Sequence, residues 1–84
     1  MRKVSIIIVS YNVRSYVSHA IDSILKSDYN NFEIIVVDNN SYDGTCDHLK
    51  KKYKTIHVIS NDINRGFGKA VNQGAKHADG EYLF

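Results

Sequence analysis

The chain has 84 residues, enough for one small domain, and 43% of them are hydrophobic and 24% charged, an ordinary balance for a globular protein. A net charge of +2 gives no bulk electrostatic argument for nucleic acid or an anionic membrane, so no nucleic-acid partner is expected. A single cysteine, Cys46, excludes an intrachain disulfide framework, and nothing approaches the ~20 consecutive apolar residues of a membrane helix.

The first apolar run, residues 4–9 (VSIIIV), is β-branched and continuous, as expected for a strand buried on both faces. Arg2 and Lys3 precede it, but the run is too short for a signal peptide and Tyr11-Asn12 follows it in place of a small-residue cleavage site. The reading is a cytoplasmic chain, with any membrane association left to parts outside it. Residues 13–25 carry Val13, Tyr16, Val17, Ala20, Ile21, Ile24 and Leu25 at the spacing of one helical face. Ser27, Asp28, Asn30 and Asn31 end that helix, and residues 32–37 form a second buried strand. Residues 45–53 are a short helix with Thr45 as N-cap and Asp47 in the favourable first turn. The lysines at 50–52 lie on its solvated face. Residues 56–59 are a third strand. Phe67–His77 is a third helix, with Phe67, Ala70, Val71, Gly74, Ala75 and Ala78 on one side. Asp79-Gly80 is a turn, and residues 81–84 begin a fourth strand.

Strands alternating with helices of this length predict parallel βαβ units and an α/β fold without an internal domain boundary. In open parallel sheets, ligands bind beyond the carboxyl ends of the strands. Those ends read Ser10-Tyr11-Asn12, Asp38-Asn39-Asn40-Ser41 and Ser60-Asn61-Asp62 followed by Asn64-Arg65-Gly66. All three are polar behind apolar strands, as a polar-ligand site requires. The glycine fingerprint for dinucleotides is absent, because SYNVRS after the first strand contains no glycine. Gly66-Phe67-Gly68-Lys69 has the wrong spacing for a P-loop, with Ala70 in the hydroxyl position. The four histidines and Cys46 show no zinc-ligand spacing, and no partner pattern marks Cys46 as a nucleophile.

Asp38 follows a run of apolar residues and has two readings. Its carboxylate either accepts hydrogen bonds from a ligand or caps the turn DNNSYDGT through its own backbone. Arg65, beside Gly66 and before the third helix, is either part of an anion-binding corner or a solvated loop arginine.

Three blocks, VSIIIVSYN, FEIIVVDNNSYDGT and NDINRGFGKAVNQGAKHADGEYLF, together resemble the N-terminal part of the inverting glycosyltransferase family 2. DNNSxDGT with NxGFGxAxNxG is most similar to its rhamnosyltransferase-like members, which build bacterial surface polysaccharides. The resemblance implies a GT-A fold: a Rossmann-like three-layer α/β/α sandwich around a mostly parallel sheet of strand order 3-2-1-4. It implies that residues 1–84 are the nucleotide-sugar-binding part of such a domain. The donor would be a UDP- or dTDP-sugar and the acceptor a saccharide or lipid-linked hydroxyl. Ser10, Tyr11 and Asn12 match the segment against the base, Asp38 the acid on the pyrimidine ring, and Asn40 and Ser41 the loop beside it. Asn64, Arg65 and Gly66 match the loop that closes over the nucleotide. The resemblance also implies a divalent cation, Mg²⁺ or Mn²⁺, held by an acidic motif after the fourth strand. That motif and the catalytic base fall beyond Phe84, so the chain is expected to be truncated and inactive alone. The alternatives are a non-catalytic nucleotide-binding α/β module, such as a receiver domain, and a self-associating fragment with an unpaired edge. A receiver needs paired acids after the first strand, which Ser10-Tyr11-Asn12 does not supply. A nucleotidyltransferase is a further alternative, but the glycine-rich basic loop it would carry after that strand is missing.

Overall fold

The computed structural model of the chain describes residues 3–12, 14–27, 31–78 and 80–83. Its elements in order are β1 (Val4–Ser10), α1 (Arg14–Leu25), β2 (Phe32–Asn39), α2 (Thr45–Lys52), β3 (His57–Asn61), α3 (Phe67–His77) and β4 (Glu81–Leu83). Val13, Asp28, Asn30, Asp79 and Phe84, which the sequence reading placed at element ends, lie outside the described residues. The strands form one parallel sheet in the expected order β3-β2-β1-β4. Phe32 to Asp38 of β2 pair in register with Val4 to Ser10 of β1, and Ile35 to Asn39 with His57 to Asn61 of β3.

Side chains on a strand alternate between faces, and the core divides accordingly. Ile34 and Val36 of β2 pack with Val17 and Ile21 of α1 and with Leu49 and Tyr53 beside them. Ile35 and Val37 face the other way, with Ile7 and Ala70 of α3. Helices α1 and α2 therefore cover one face of the sheet and α3 the other. Ile34 to Val37 are all buried, which is why β2 shows no polar alternation.

The strands run further than the apolar pattern. β1 takes in Ser10, β2 takes in Asp38 and Asn39, and β3 takes in Ser60 and Asn61. Backbone pairing continues through Ser10↔Asp38, Asp38↔Ser60 and Asn39↔Asn61. Ladder hydrogen bonds are indifferent to side-chain polarity, so hydrophobicity underestimates the length of each strand.

The helices differ from expectation in three places. Tyr16 is 77% exposed and Ala20 and Leu25 are also exposed, so the buried stripe of α1 narrows to Val17 and Ile21, with Ile24 packed beside them. Thr45 is not an N-cap but the first helical residue, after Gly44 at φ 81°. Asp43 supplies the capping acceptor instead, taking the Thr45 backbone N–H at 3.1 Å and the Thr45 hydroxyl. Helix α2 ends at Lys52, and Tyr53 adopts an extended backbone that turns its ring into the core under α1. The Tyr53 hydroxyl lies 2.5 Å from Asp22 Oδ1, which holds the Asp22 carboxyl below its ordinary pKa.

Gly74 lets α3 sit close to the sheet. A Cβ there would lie 2.7 Å from Ile7 Cγ2 and 3.1 Å from Val37 Cγ2, inside van der Waals contact with two buried side chains. The Gly74→Ala variant is therefore expected to lose about 1–3 kcal/mol through overpacking, despite alanine's better helix propensity. Urea unfolding checks this. A variant more stable than the parent would show that α3 can move away from the sheet without cost.

Candidate functional site

The alternation that divides the core also divides the carboxyl edge of the sheet. Ser10, Asp38 and Ser60 lie two residues beyond Ile8, Val36 and Val58, so they face the α1–α2 side. Asn39 and Asn61 lie two beyond Val37 and Ile59, so they face the α3 side. Two polar clusters result, back to back at the end of one sheet.

The first cluster centres on Asp38, which is only 1% exposed. Its Oδ1 accepts the Ser10 hydroxyl at 2.7 Å and the Ser41 hydroxyl at 2.5 Å, and its Oδ2 accepts the Ser41 backbone N–H at 2.9 Å. These bonds tie the buried carboxylate both to the neighbouring strand and to its own turn. Ser41 Oγ in turn accepts the Asn12 backbone N–H at 2.8 Å, and Asn12 Oδ1 accepts the Tyr42 backbone N–H at 2.8 Å. The loops after β1 and β2 are thus bonded into one unit. Asn12 and Asn40 reach positive φ, 52° and 65°, a region asparagine tolerates better than most residues. Tyr11 and Tyr42, both exposed, meet edge to face with ring centroids 6.3 Å apart. This geometry is that of the turn-organising reading of Asp38, whose carboxylate bonds Ser41 of its own turn and Ser10 of the neighbouring strand.

The second cluster is built from amides. Asn39 Oδ1 accepts Asn61 Nδ2 at 3.0 Å and the Arg65 backbone N–H at 3.3 Å, while Asn39 Nδ2 donates to the Gly66 carbonyl at 3.2 Å. Asn61 and Gln73 exchange two bonds of 2.8 Å. Asn64 Oδ1 accepts the Gly66 backbone N–H at 2.8 Å. Gly66 adopts φ 81° and ψ 167°, a region essentially restricted to glycine, while a Cβ there would meet nothing within 4 Å. Glycine is needed at this position for its backbone and not for space. The Arg65 side chain is exposed and lines a cleft of about 440 Å³ with Lys69, Asn72, Gln73 and Lys76.

The structure therefore joins Ser10, Asn12, Asp38 and Ser41 by direct bonds, with Tyr11 and Asn40 exposed beside them. Asn64, Arg65 and Gly66 belong to the other side and reach the first group through Asn39. Asn39 and Asn61 stand among the polar strand ends of the sequence without a role, and Tyr42 and Gln73 are not singled out there. The signal for Asn39 and Asn61 was parity: each sits one residue from a face assignment already made by its strand. Gln73 carries no such signal. Cys46, half-buried in the first turn of α2, has its thiol pushed up chiefly by burial, with the Ser60 hydroxyl lowering it and the nearby Asp38 carboxylate raising it further. It is not an activated nucleophile. Among the described residues no group of three or more His, Cys, Asp and Glu side chains is placed to hold a metal ion.

Replacing Asp38 by alanine strands the buried Ser10 hydroxyl and frees the loop at Ser41, and is expected to cost about 3 kcal/mol. Ser10→Ala, which removes one donor, is expected to cost about half of that, roughly 1.5 kcal/mol. Chemical denaturation of the two variants checks the ratio. Equal and small losses would show that the carboxylate does not organise the edge.

Comparison with known proteins agrees with this architecture. The sequence pattern of glycosyl transferase family 2 matches residues 5–84. An uncharacterized glycosyltransferase of Haemophilus influenzae is 40% identical over 83 residues, 95% of this chain and 26% of that protein. The putative teichuronic acid biosynthesis glycosyltransferase TuaG of Bacillus subtilis is 37% identical, with 95% and 33% covered. The Escherichia coli UDP-Glc:alpha-D-GlcNAc-diphosphoundecaprenol beta-1,3-glucosyltransferase WfaP is 38% identical, with 99% and 34% covered. Among solved structures, Staphylococcus aureus TarS 1–349 superposes with a TM-score of 0.84 at 31% identity, over 96% of this chain and 26% of that one. The mannosyltransferase PcManGT of Pyrobaculum calidifontis, in complex with GDP-Man and Mn²⁺, gives a TM-score of 0.84 at 27% identity, over 94% and 25%. The chain spans about a quarter to a third of the length of these relatives. The matched pattern and the shared Rossmann-like α/β fold place the chain in glycosyl transferase family 2.

Proposed function

We propose that residues 1–84 are the donor-nucleotide part of an inverting glycosyltransferase. The whole protein would move a sugar from a UDP- or dTDP-sugar to a hydroxyl of a saccharide or lipid-linked acceptor, in the synthesis of a cell-surface polysaccharide. The observation that carries this reading is the joining of the three strand-end loops by hydrogen bonds at one sheet edge, around Asp38 and Asn39. Loops tied to a rigid sheet present a preformed polar surface, and preformed sites lose less ordering entropy when a ligand binds. The names of the relatives, which include teichuronic acid and lipid-diphosphate-linked glycan synthesis, support the cell-surface assignment.

In this reading Ser10, Tyr11 and Asn12 lie against the base. Asp38 accepts a base N–H, with Asn40 and Ser41 alongside. Asn64, Arg65 and Gly66 close over the nucleotide, Arg65 reaching the base or the phosphates. The divalent cation expected for transfer, Mg²⁺ or Mn²⁺, does not fit the residues of this chain, since none of the described carboxylates, histidines or the cysteine cluster for it. Its ligands and the base that takes the acceptor proton are assigned to other parts of the protein. The chain alone therefore binds donor without transferring sugar. No described helix is long and apolar enough to cross a membrane. In this reading the donor site faces the cytoplasm.

Calorimetry with UDP and dTDP tests the reading. The chain is expected to bind at least one of them, and Arg65→Ala to weaken that binding by about 10-fold, the value of one charge-assisted hydrogen bond. Absence of heat with both nucleotides at millimolar concentration would overturn the donor-site assignment.

A second reading, self-association, is favoured by the outer edge of β3. That strand pairs only with β2 among the described residues, and its exposed His57 and Ser60 leave the edge open. Light scattering is expected to show mass rising with concentration; a clean monomer at high concentration would remove the idea.

A further inference from the structure

We propose that Phe67 is a wall of the donor site and stacks on the nucleobase. The inference rests on the donor-site reading above and adds to it a residue in helical phase with the core. Phe67 shares its helical face with Val71 and Gly74, at i, i+4 and i+7, and those two are buried. Phe67 is nevertheless 68% exposed.

The reason is an overhang. Helix α3 connects two parallel strands, so it runs antiparallel to them. Gly74 is level with Ile7 and Val37, whose side chains a Cβ at Gly74 would touch. Phe67 lies seven residues nearer the helix start, about 10 Å along the axis at ~1.5 Å per residue. Strands advance ~3.3 Å per residue, so about 10 Å is three residues of strand. Counting from Ile7 and from Val37 carries the chain to Ser10 and to Asn40, the residues that bound the carboxyl edge. Helical side chains also tilt toward the helix N-terminus, which sends the ring further beyond the sheet. The face that holds Val71 and Gly74 against the sheet thus carries Phe67 past its end, over the two polar clusters.

The surroundings of the ring are open. A Cβ at either flanking glycine, Gly66 or Gly68, would meet nothing within 4 Å. The exposed Tyr11–Tyr42 pair stands at the same carboxyl edge, tied to Asp38 through Asn12 and Ser41. Apolar π-faces beside a row of hydrogen-bonding groups suit a flat ligand with a polar rim. A nucleobase has that form. A pyrophosphate or an aliphatic chain does not.

The chain contains no tryptophan, so Phe67→Trp creates a single fluorescent reporter at this position. Its emission is expected to be quenched by UDP or dTDP and by the free nucleoside, and to be unchanged by pyrophosphate. Phe67→Ala is expected to weaken nucleotide binding by about 5- to 100-fold, the range for loss of one base–aromatic stack. Its melting temperature should match the parent's, because an exposed side chain carries little of the core. Equal nucleotide affinity in Phe67→Ala and parent overturns the proposal and leaves the donor site standing. So does a blue shift of the reporter with protein concentration alone, combined with unchanged affinity, which would assign the ring to a second copy of the chain. Loss of nucleotide binding in the parent itself would instead remove the donor reading on which the proposal rests.

Discussion

The carboxyl edge of this sheet depends on one buried charge. Asp38 sits at the end of the most enclosed strand, and a carboxylate in that position needs donors from every side it can reach. It obtains them from Ser10 on the neighbouring strand and twice from Ser41 in its own turn. Fixing Ser41 then fixes Asn12 and, through Asn12, the backbone of Tyr42. A single desolvated group therefore dictates the path of two loops that are distant in sequence. The order of causes runs from burial, to the demand for hydrogen bonds, to loop position, to the placing of two aromatic rings.

The other half of the edge is held by weaker means. Asn39, Asn61 and Gln73 are neutral, and bonds between neutral groups contribute about 0.5–1.5 kcal/mol each, against about 1.5–3 kcal/mol for bonds to a charged group. The start of α3 hangs on those amides and on the positive φ of Gly66. By this comparison the α1–α2 side is the firmer wall and the 62–66 loop is the part that gives way first under load. A site with one fixed wall and one yielding wall can admit a ligand and then close on it, which is the behaviour assigned above to Asn64, Arg65 and Gly66.

Much of this fold was legible in the sequence because its signals are strong where a parallel sheet needs them. Residues 6–9 and 34–37 are uniformly β-branched, as enclosed strands are, and a helix between two such strands favours parallel pairing. The strand ends were placed within a residue or two, and the polar ends correctly marked one edge. What the pattern did not carry was the extension of each strand into Ser10, Asn39 and Asn61, since backbone pairing is blind to polarity. Nor did it carry the true cap of α2. Thr45 has the right residue type, but Gly44 breaks the chain direction one residue earlier and leaves Asp43 as the acceptor.

The exposure of Phe67, in phase with the buried stripe of α3, has a more general cause. Helical periodicity reports the direction in which a side chain points, and that direction was right: positions 67, 71 and 74 do share a face. It does not report where the surface opposite comes to an end. That limit is set by another part of the chain, here by the lengths of β1 and β2 and by the height at which Gly74 docks on Ile7 and Val37. A residue in phase with the core but beyond the sheet is left apolar and exposed at the place where polar groups of three loops converge. Tyr16 fails for a different reason, because it lies at the margin of its stripe rather than past the end of a sheet. Among these departures from the helical pattern, only the overhang carries an aromatic ring to the carboxyl edge, where the proposed donor site lies.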